Sequence, residues 1–153
     1  MLATAIFTFT CCIAWQPLPG VIWQAENPTL YNALLVTGLF GWAMVFYATF
    51  LINHFDLFGL RQVWLQMRGK PYTPLKFSEP TLYRYMRHPL YVGLLLAVWA
   101  TPVMTVAHLF FAVGVLGYIL VGIQFEERDL IANLGATYAS YRRRVPMLLP
   151  AFW

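Results

Sequence analysis

The sequence predicts an all-α integral membrane protein of about four transmembrane segments, with a C-terminal helical hairpin and a cytoplasmic amphipathic helix. Two observations carry that class. Of the 153 residues, 60% are hydrophobic and only 10% charged, whereas a soluble domain carries roughly 25% charged residues. The charges are also unevenly placed, since no Asp, Glu, Lys or Arg occurs in 1–25, 27–55 or 88–125, which together exceed half the chain. A soluble fold of this size cannot bury so much uncharged sequence. Composition therefore excludes a soluble domain, a disordered chain and a disulfide scaffold, and leaves one membrane domain over 1–153.

The elements follow in order. Residues 1–15 have neither a basic leader nor a small-residue cleavage site, so they read as a first span rather than a signal peptide, extending to Ile22 around Pro17 and Pro19. Cys11 and Cys12 are adjacent, a geometry that disfavours a bridge, and are expected as buried thiols. Residues 31–52 form a second, uncharged span, long enough for a bilayer core of about 30 Å. The stretch 89–125 is slightly short for two full spans and a turn. Thr101-Pro102 is the expected break, because proline disfavours helix in the residue before it. Residues 106–124 then span comfortably. Residues 89–101 are short at about 20 Å, so they lie in a thinned region or are continued by 81–87. Gly114, Gly117 and Gly122 are expected at close helix contacts. Beyond the last span, Leu130, Ile131, Leu134, Tyr138 and Tyr141 share one side of an amphipathic helix over 126–141.

Charge sets the orientation. All ten Lys and Arg lie at or after Arg61, six of them in 61–87, while the 16–30 loop holds only Glu26. The positive-inside bias places the 53–88 loop and the C-terminus in the cytoplasm. The pI near 9.3 follows from this bias; it calls for no nucleic-acid partner and suits anionic membrane lipid.

There is no glycine-rich nucleotide loop, no HExxH motif and no zinc-spaced Cys/His set. The polar residues gather instead at one membrane level: His54 and Asp56 after the second span, Arg84, Arg87 and His88 before the third, and Gln124, Glu126, Glu127 and Arg128 after the fourth. Lipid anchoring with ion pairs, such as Arg87 with Glu126, is one explanation. It accounts less well for two adjacent glutamates abutting an apolar span. The hairpin brings Arg87-His88-Pro89-Leu90-Tyr91-Val92-Gly93 to the same side as Glu126-Glu127. His88 and Tyr91 stand three apart, Pro89 suits a first helical turn, and Gly93 lets something approach the backbone. Acid and tyrosine together suit a cationic, amphipathic ligand. His108, near the opposite turn, is assigned no chemistry.

This pattern, with the tail residues Leu134, Gly135, Tyr138, Tyr141, Val145 and Pro146, resembles the integral-membrane methyltransferases. These include the isoprenylcysteine carboxyl and phospholipid N-methyltransferases, and the resemblance covers roughly 53–150, the expected cofactor-binding hairpin and tail; 1–52 hold the N-terminal spans. The stretches 53–62 and 69–72 look closest to the bacterial methanethiol S-methyltransferases. The resemblance implies S-adenosyl-L-methionine as cofactor, held by Tyr83, Arg87, His88, Pro89, Leu90, Tyr91, Gly93, Glu126 and Glu127. It implies a bacterial inner-membrane enzyme with its site at the cytoplasmic face.

Two departures matter. Where the isoprenylcysteine enzymes have an Arg facing the substrate carboxylate, this sequence has Gly122, so a small neutral thiol fits better than a carboxylate. The thiol methyltransferases also carry further spans before the part matching Met1, so the chain is expected to be a short form or to start at an internal methionine. The expected reaction is methyl transfer to methanethiol, giving dimethyl sulfide. A membrane-facing gap would admit the thiol, and His54 is the candidate proton acceptor; Tyr91 or Arg128 are the candidates to position it. Methylation of a lipid or prenylated cysteine, and a non-catalytic membrane protein of nitrogen-oxide metabolism, remain as alternatives.

Overall fold

A computed structural model describes residues 18–51, 59–71 and 78–149. His54, Asp56, Cys11, Cys12 and most of the expected first span lie outside the described residues. The end of that span departs from expectation. Val21–Gln24 is a strand, β1, not helix, because Pro19 lacks an amide hydrogen and Gly20 takes a φ of +112°, both of which break a helix.

Helix α1 (Pro28–Leu51) is opened by Asn27, whose Oδ1 accepts from the amides of Thr29 at 2.8 Å and Leu30 at 3.4 Å. Pro28 takes the first helical position, where no amide hydrogen is needed. Helix α2 (Leu60–Met67) follows Gly59, which adopts a φ of +72°. Its Leu60, Val63, Trp64 and Met67 form one exposed apolar stripe at helical spacing. Thr81–Arg84 is a separate 3₁₀ turn, so it does not continue α3 (Pro89–Trp99) as a helix. At 11 residues, or about 17 Å by helical rise, α3 is too short to cross a bilayer alone.

Helix α4 (Val106–Leu134) runs for 29 residues. Its N-cap is Thr105, whose hydroxyl accepts from the His108 amide at 3.1 Å. Only α1 and α4, among the described residues, are long and apolar enough to cross a membrane. Val36, Leu39, Phe40, Phe46 and Phe50 of α1 and Phe110, Phe111, Tyr118, Val121 and Phe125 of α4 are exposed, which suits lipid and not water. The expected amphipathic helix over 126–141 is divided. Residues 126–134 prolong α4 without a break, Gly135 (φ +56°) ends it, and α5 (Ala136–Arg144) turns back. The apolar residues read on its one side do assemble, as Tyr138, Tyr141 and Val145 pack on Leu130, Ile131 and Leu134.

Helices α1 and α3 meet backbone to backbone. A Cβ at Gly41 would stand 2.5 Å from the Ala97 nitrogen and 2.6 Å from the Gly93 oxygen, and one at Gly38 would stand 2.8 Å from the Ala100 oxygen. This is the small-residue contact of membrane helices, in which dispersion grows as backbones approach. It is not made where expected. Within the described residues nothing lies within 4 Å of a Cβ at Gly114, Gly117 or Gly122, because the helices packed face to face are α1 and α3.

The Thr101-Pro102 break is where the hairpin turns, but it holds a strand. β2 (Val103–Thr105) pairs antiparallel with β1, Val21 opposite Thr105 and Gln24 opposite Val103, with an irregularity between Val21 and Trp23. The Trp23 indole donates to the Thr101 carbonyl at 3.1 Å, and Met104 is fully buried. The two connections opposite the charged end are thus stitched together. His108 closes the same turn, its Nε2 2.8 Å from the Val98 carbonyl oxygen.

Candidate active site

The charged end is built from three pieces: the foot of α3, the middle of α4, and α5 with the chain after it. Arg87 and His88 precede α3, and the tail satisfies their backbone. The Arg87 amide donates to the Pro146 carbonyl at 2.9 Å and the His88 amide to that of Met147 at 3.2 Å. The Tyr141 hydroxyl donates to the Tyr83 carbonyl at 2.6 Å, and Arg144 pairs with Glu79 at 2.9 Å. Burial, followed by the nearby acids and tyrosines, pushes the Tyr83 and Tyr141 phenols above their ordinary value, so both stay protonated donors.

The two glutamates have separate surroundings. Glu127 is buried, with its side chain 7% exposed, and collects three partners, two arginines and a histidine. Arg87 Nη1 donates to its Oε1, His88 Nε2 stands 3.2 Å from the same oxygen, and Arg142 Nε lies 3.0 Å from Oε2. Arg87 therefore pairs with Glu127 and not with Glu126 as expected; Glu126, one position earlier, points about 100° round the helix. The Glu126 side chain is 45% exposed, accepts from the Tyr91 hydroxyl at 3.2 Å, and lies 3.7 Å from His88 Nδ1. The buried His88 ring stacks on Tyr91 with centroids 5.6 Å apart. His88 thus stands between both acids, held by one and facing the other.

Most of the residues singled out in the sequence come together here. Tyr83, Arg87, His88, Pro89, Leu90 and Tyr91 line the approach to α3 and its first turn, and Glu126, Glu127 and Arg128 stand on α4. Gly93 does not join them. What approaches its backbone is α1: a Cβ there would meet the Gly41 oxygen at 2.8 Å and the Val45 nitrogen at 2.9 Å. Sequence reasoning missed Arg142 and the strap at 146–147. Arg142 was legible only as one of three consecutive cations, although its place four residues after Tyr138 puts both on one helix face.

Among the described residues, a polar and an apolar cavity adjoin these groups. The polar one, of about 310 Å³, is lined by Arg87, Gln124, Glu127, Arg128, Arg142 and Met147, together with Ile123. An apolar groove of about 560 Å³ runs between α3 and α4 from Trp99 and Leu116 down to Leu148 and Leu149. Its lining includes Val92, the neighbour of Tyr91. No metal-holding group of His, Cys, Asp or Glu occurs among the described residues.

By sequence, the chain is similar to enzymes that methylate sulfur. It is 56% identical over 136 residues to the methanethiol S-methyltransferase of Mycobacterium tuberculosis, covering 89% of this chain and 56% of that protein. The enzyme of the same name from Crocosphaera subtropica is 56% identical over 138 residues, 89% of this chain and 53% of that protein. More distantly, the Nurim homolog of Drosophila pseudoobscura pseudoobscura is 29% identical over 122 residues, 76% of this chain and 48% of that protein. The resemblance drawn from the motifs is therefore borne out, and the chain spans about half the length of the curated relatives it matches. No protein-family profile matches the chain. No solved structure matches it either.

Proposed function

We propose that this chain carries the cofactor-binding part of a membrane methyltransferase that moves a methyl group from S-adenosyl-L-methionine to a small thiol, methanethiol yielding dimethyl sulfide. The observation that carries the reading is Glu126: a half-exposed carboxylate, hydrogen-bonded to Tyr91 and facing His88, with acceptor capacity left for a cation. That capacity fits a positively charged donor, and the relatives' name supports sulfur as the acceptor.

When bound, the donor supplies an already activated methyl group, so the protein's tasks are alignment and exclusion of water. Glu126 and Tyr91 offer charge and an aromatic face to the donor, and His88, braced by Glu127, sets the position of the Tyr91 ring. Pro89 and Leu90 shape the first turn beneath it. The thiol would lose its proton and its sulfur would take the methyl group, the donor's own methyl–sulfur bond giving way in exchange. The reactive form is the thiolate, which the basic cytoplasmic rim favours; His54 takes the proton. The apolar groove beside Val92 suits the approach of an apolar thiol from the bilayer.

The test is headspace dimethyl sulfide from protein in nanodiscs given the donor and methanethiol. The intact chain is expected to produce it, and Glu126→Gln to lower the rate at least tenfold without loss of fold, since that side chain is half exposed. A carboxylate acceptor such as a prenylated cysteine serves as the comparison substrate. Absence of both products, together with no donor binding, overturns the proposal.

We also infer that α2 lies flat on the cytoplasmic leaflet of the bacterial inner membrane. Its exposed stripe faces the acyl boundary while Arg61, Arg68 and Lys70 meet anionic headgroups. No acidic residue occurs between Asp56 and Glu79, and the Arg68 guanidinium sits 4.3 Å from the Trp64 ring centre, as at a membrane interface. A fluorophore on Met67→Cys, with Cys11 and Cys12 changed to Ser, is expected to shift to the blue more in nanodiscs of anionic than of zwitterionic lipid. Equal, water-like emission in both overturns the inference.

A further inference from the structure

We propose that the arginine-lined cavity beside Glu127 receives the carboxylate of the donor's amino-acid end, with Arg142 and Arg128 as its binding residues; this rests on the donor reading above. Three guanidinium groups, Arg87, Arg128 and Arg142, share this cavity with one carboxylate, Glu127. That leaves an excess of two positive charges, and Arg128 and Arg142 are both exposed, open to an anion from outside. Glu127 engages Arg87 and Arg142 through one oxygen each. Among the described residues no carboxylate stands within ion-pair distance of Arg128. Arg87 is nine-tenths buried, yet its Nε has no hydrogen-bond partner, an arrangement folded proteins rarely leave unmade.

A small, planar anion fits this excess of guanidinium groups. A carboxylate matches the fork geometry of guanidinium groups, and the charge-assisted bonds it accepts are about twice as strong as neutral ones. The volume is also informative. About 310 Å³ lies at the lower end of the roughly 300–1,000 Å³ of small-molecule sites, room for the amino-acid end of the donor. Glu126 and Glu127 are consecutive on α4 but serve different sides. A zwitterionic donor whose sulfonium faces Glu126 then reaches the cations beside Glu127 with its carboxylate. Arg128, which the sequence suggested as a group positioning the acceptor, thereby becomes a donor-binding residue.

The experiment compares binding of S-adenosylmethionine and its decarboxylated analogue to the full chain in nanodiscs by equilibrium dialysis. In the unsubstituted protein the analogue is expected to bind at least tenfold more weakly. Arg142→Gln and Arg128→Gln are expected to weaken the parent compound and bring the ratio toward one, with Arg142→Lys intermediate. Arg128→Gln guards against loss of fold, because Arg128 takes no part in the Glu127 ion pairs. Equal affinity for both compounds overturns the carboxylate site while leaving the donor reading intact. Binding of neither compound overturns both.

Discussion

Replacing Glu127 with alanine is expected to destabilise the protein by about 3–5 kcal/mol, the cost of removing one partner from a buried ion pair. Glu127 is the common acceptor of Arg87, His88 and Arg142, groups that come from the foot of α3 and from α5. Without it the Arg87 guanidinium, only 10% exposed, is buried with no counter-charge. The strap formed by Pro146 and Met147 on the Arg87 and His88 amides loses its side-chain reinforcement at the same time. The double change Glu127→Leu with Arg87→Met is expected to recover part of the loss, because it removes both charges together. Thermal unfolding in detergent, followed by intrinsic fluorescence, measures both. A midpoint for Glu127→Ala equal to that of the intact chain shows that Glu127 is not the hub. Glu126→Gln is expected to leave the midpoint unchanged and to affect donor binding instead.

The second large effect concerns the seam between α1 and α3. Gly41→Val is expected to cost about 3 kcal/mol, at the upper end of overpacking penalties, and to lower donor binding as well. The added carbons meet the Ala97 nitrogen and the Gly93 oxygen at distances real contacts do not show. Both are backbone atoms, so no rotamer change relieves the overlap and the helices must separate. That separation moves α3, and with it His88 and Tyr91 two turns below Ala97. Gly117→Ala is the matched control. It meets nothing within 4 Å among the described residues, and alanine is favoured over glycine inside a helix by up to about 1 kcal/mol. If Gly41→Val and Gly117→Ala shift the unfolding midpoint equally, the seam is not where the helices hold together.

The contrast between those glycines shows how far the sequence could be read. Gly41, Gly93 and Gly117 look alike in an apolar run, and the choice of which one touches a neighbour is made by helix rotation and partner, neither of which has a local signature. The two strands at the hairpin turn were illegible for a related reason. Val21–Gln24 and Val103–Thr105 are too short to show a period, and they pair across about eighty residues. Pro17 and Pro19 are compatible with the end of a span, and only the pairing with β2 makes 21–24 a strand.

The membrane class, the hairpin and its break at Thr101-Pro102 and the facing of Arg87–Tyr91 toward Glu126–Glu127 follow from composition and chain order alone. Burial of uncharged stretches and the stiffness of proline act within a few residues. The folded chain alone assigns Glu127 to the arginines and Glu126 to Tyr91. It alone adds Arg142 and the strap, and gives Gly93 to α1. Each of these assignments depends on which surfaces meet across long separations, and on the desolvation that decides which carboxylate must be fully paired and which stays open to a ligand.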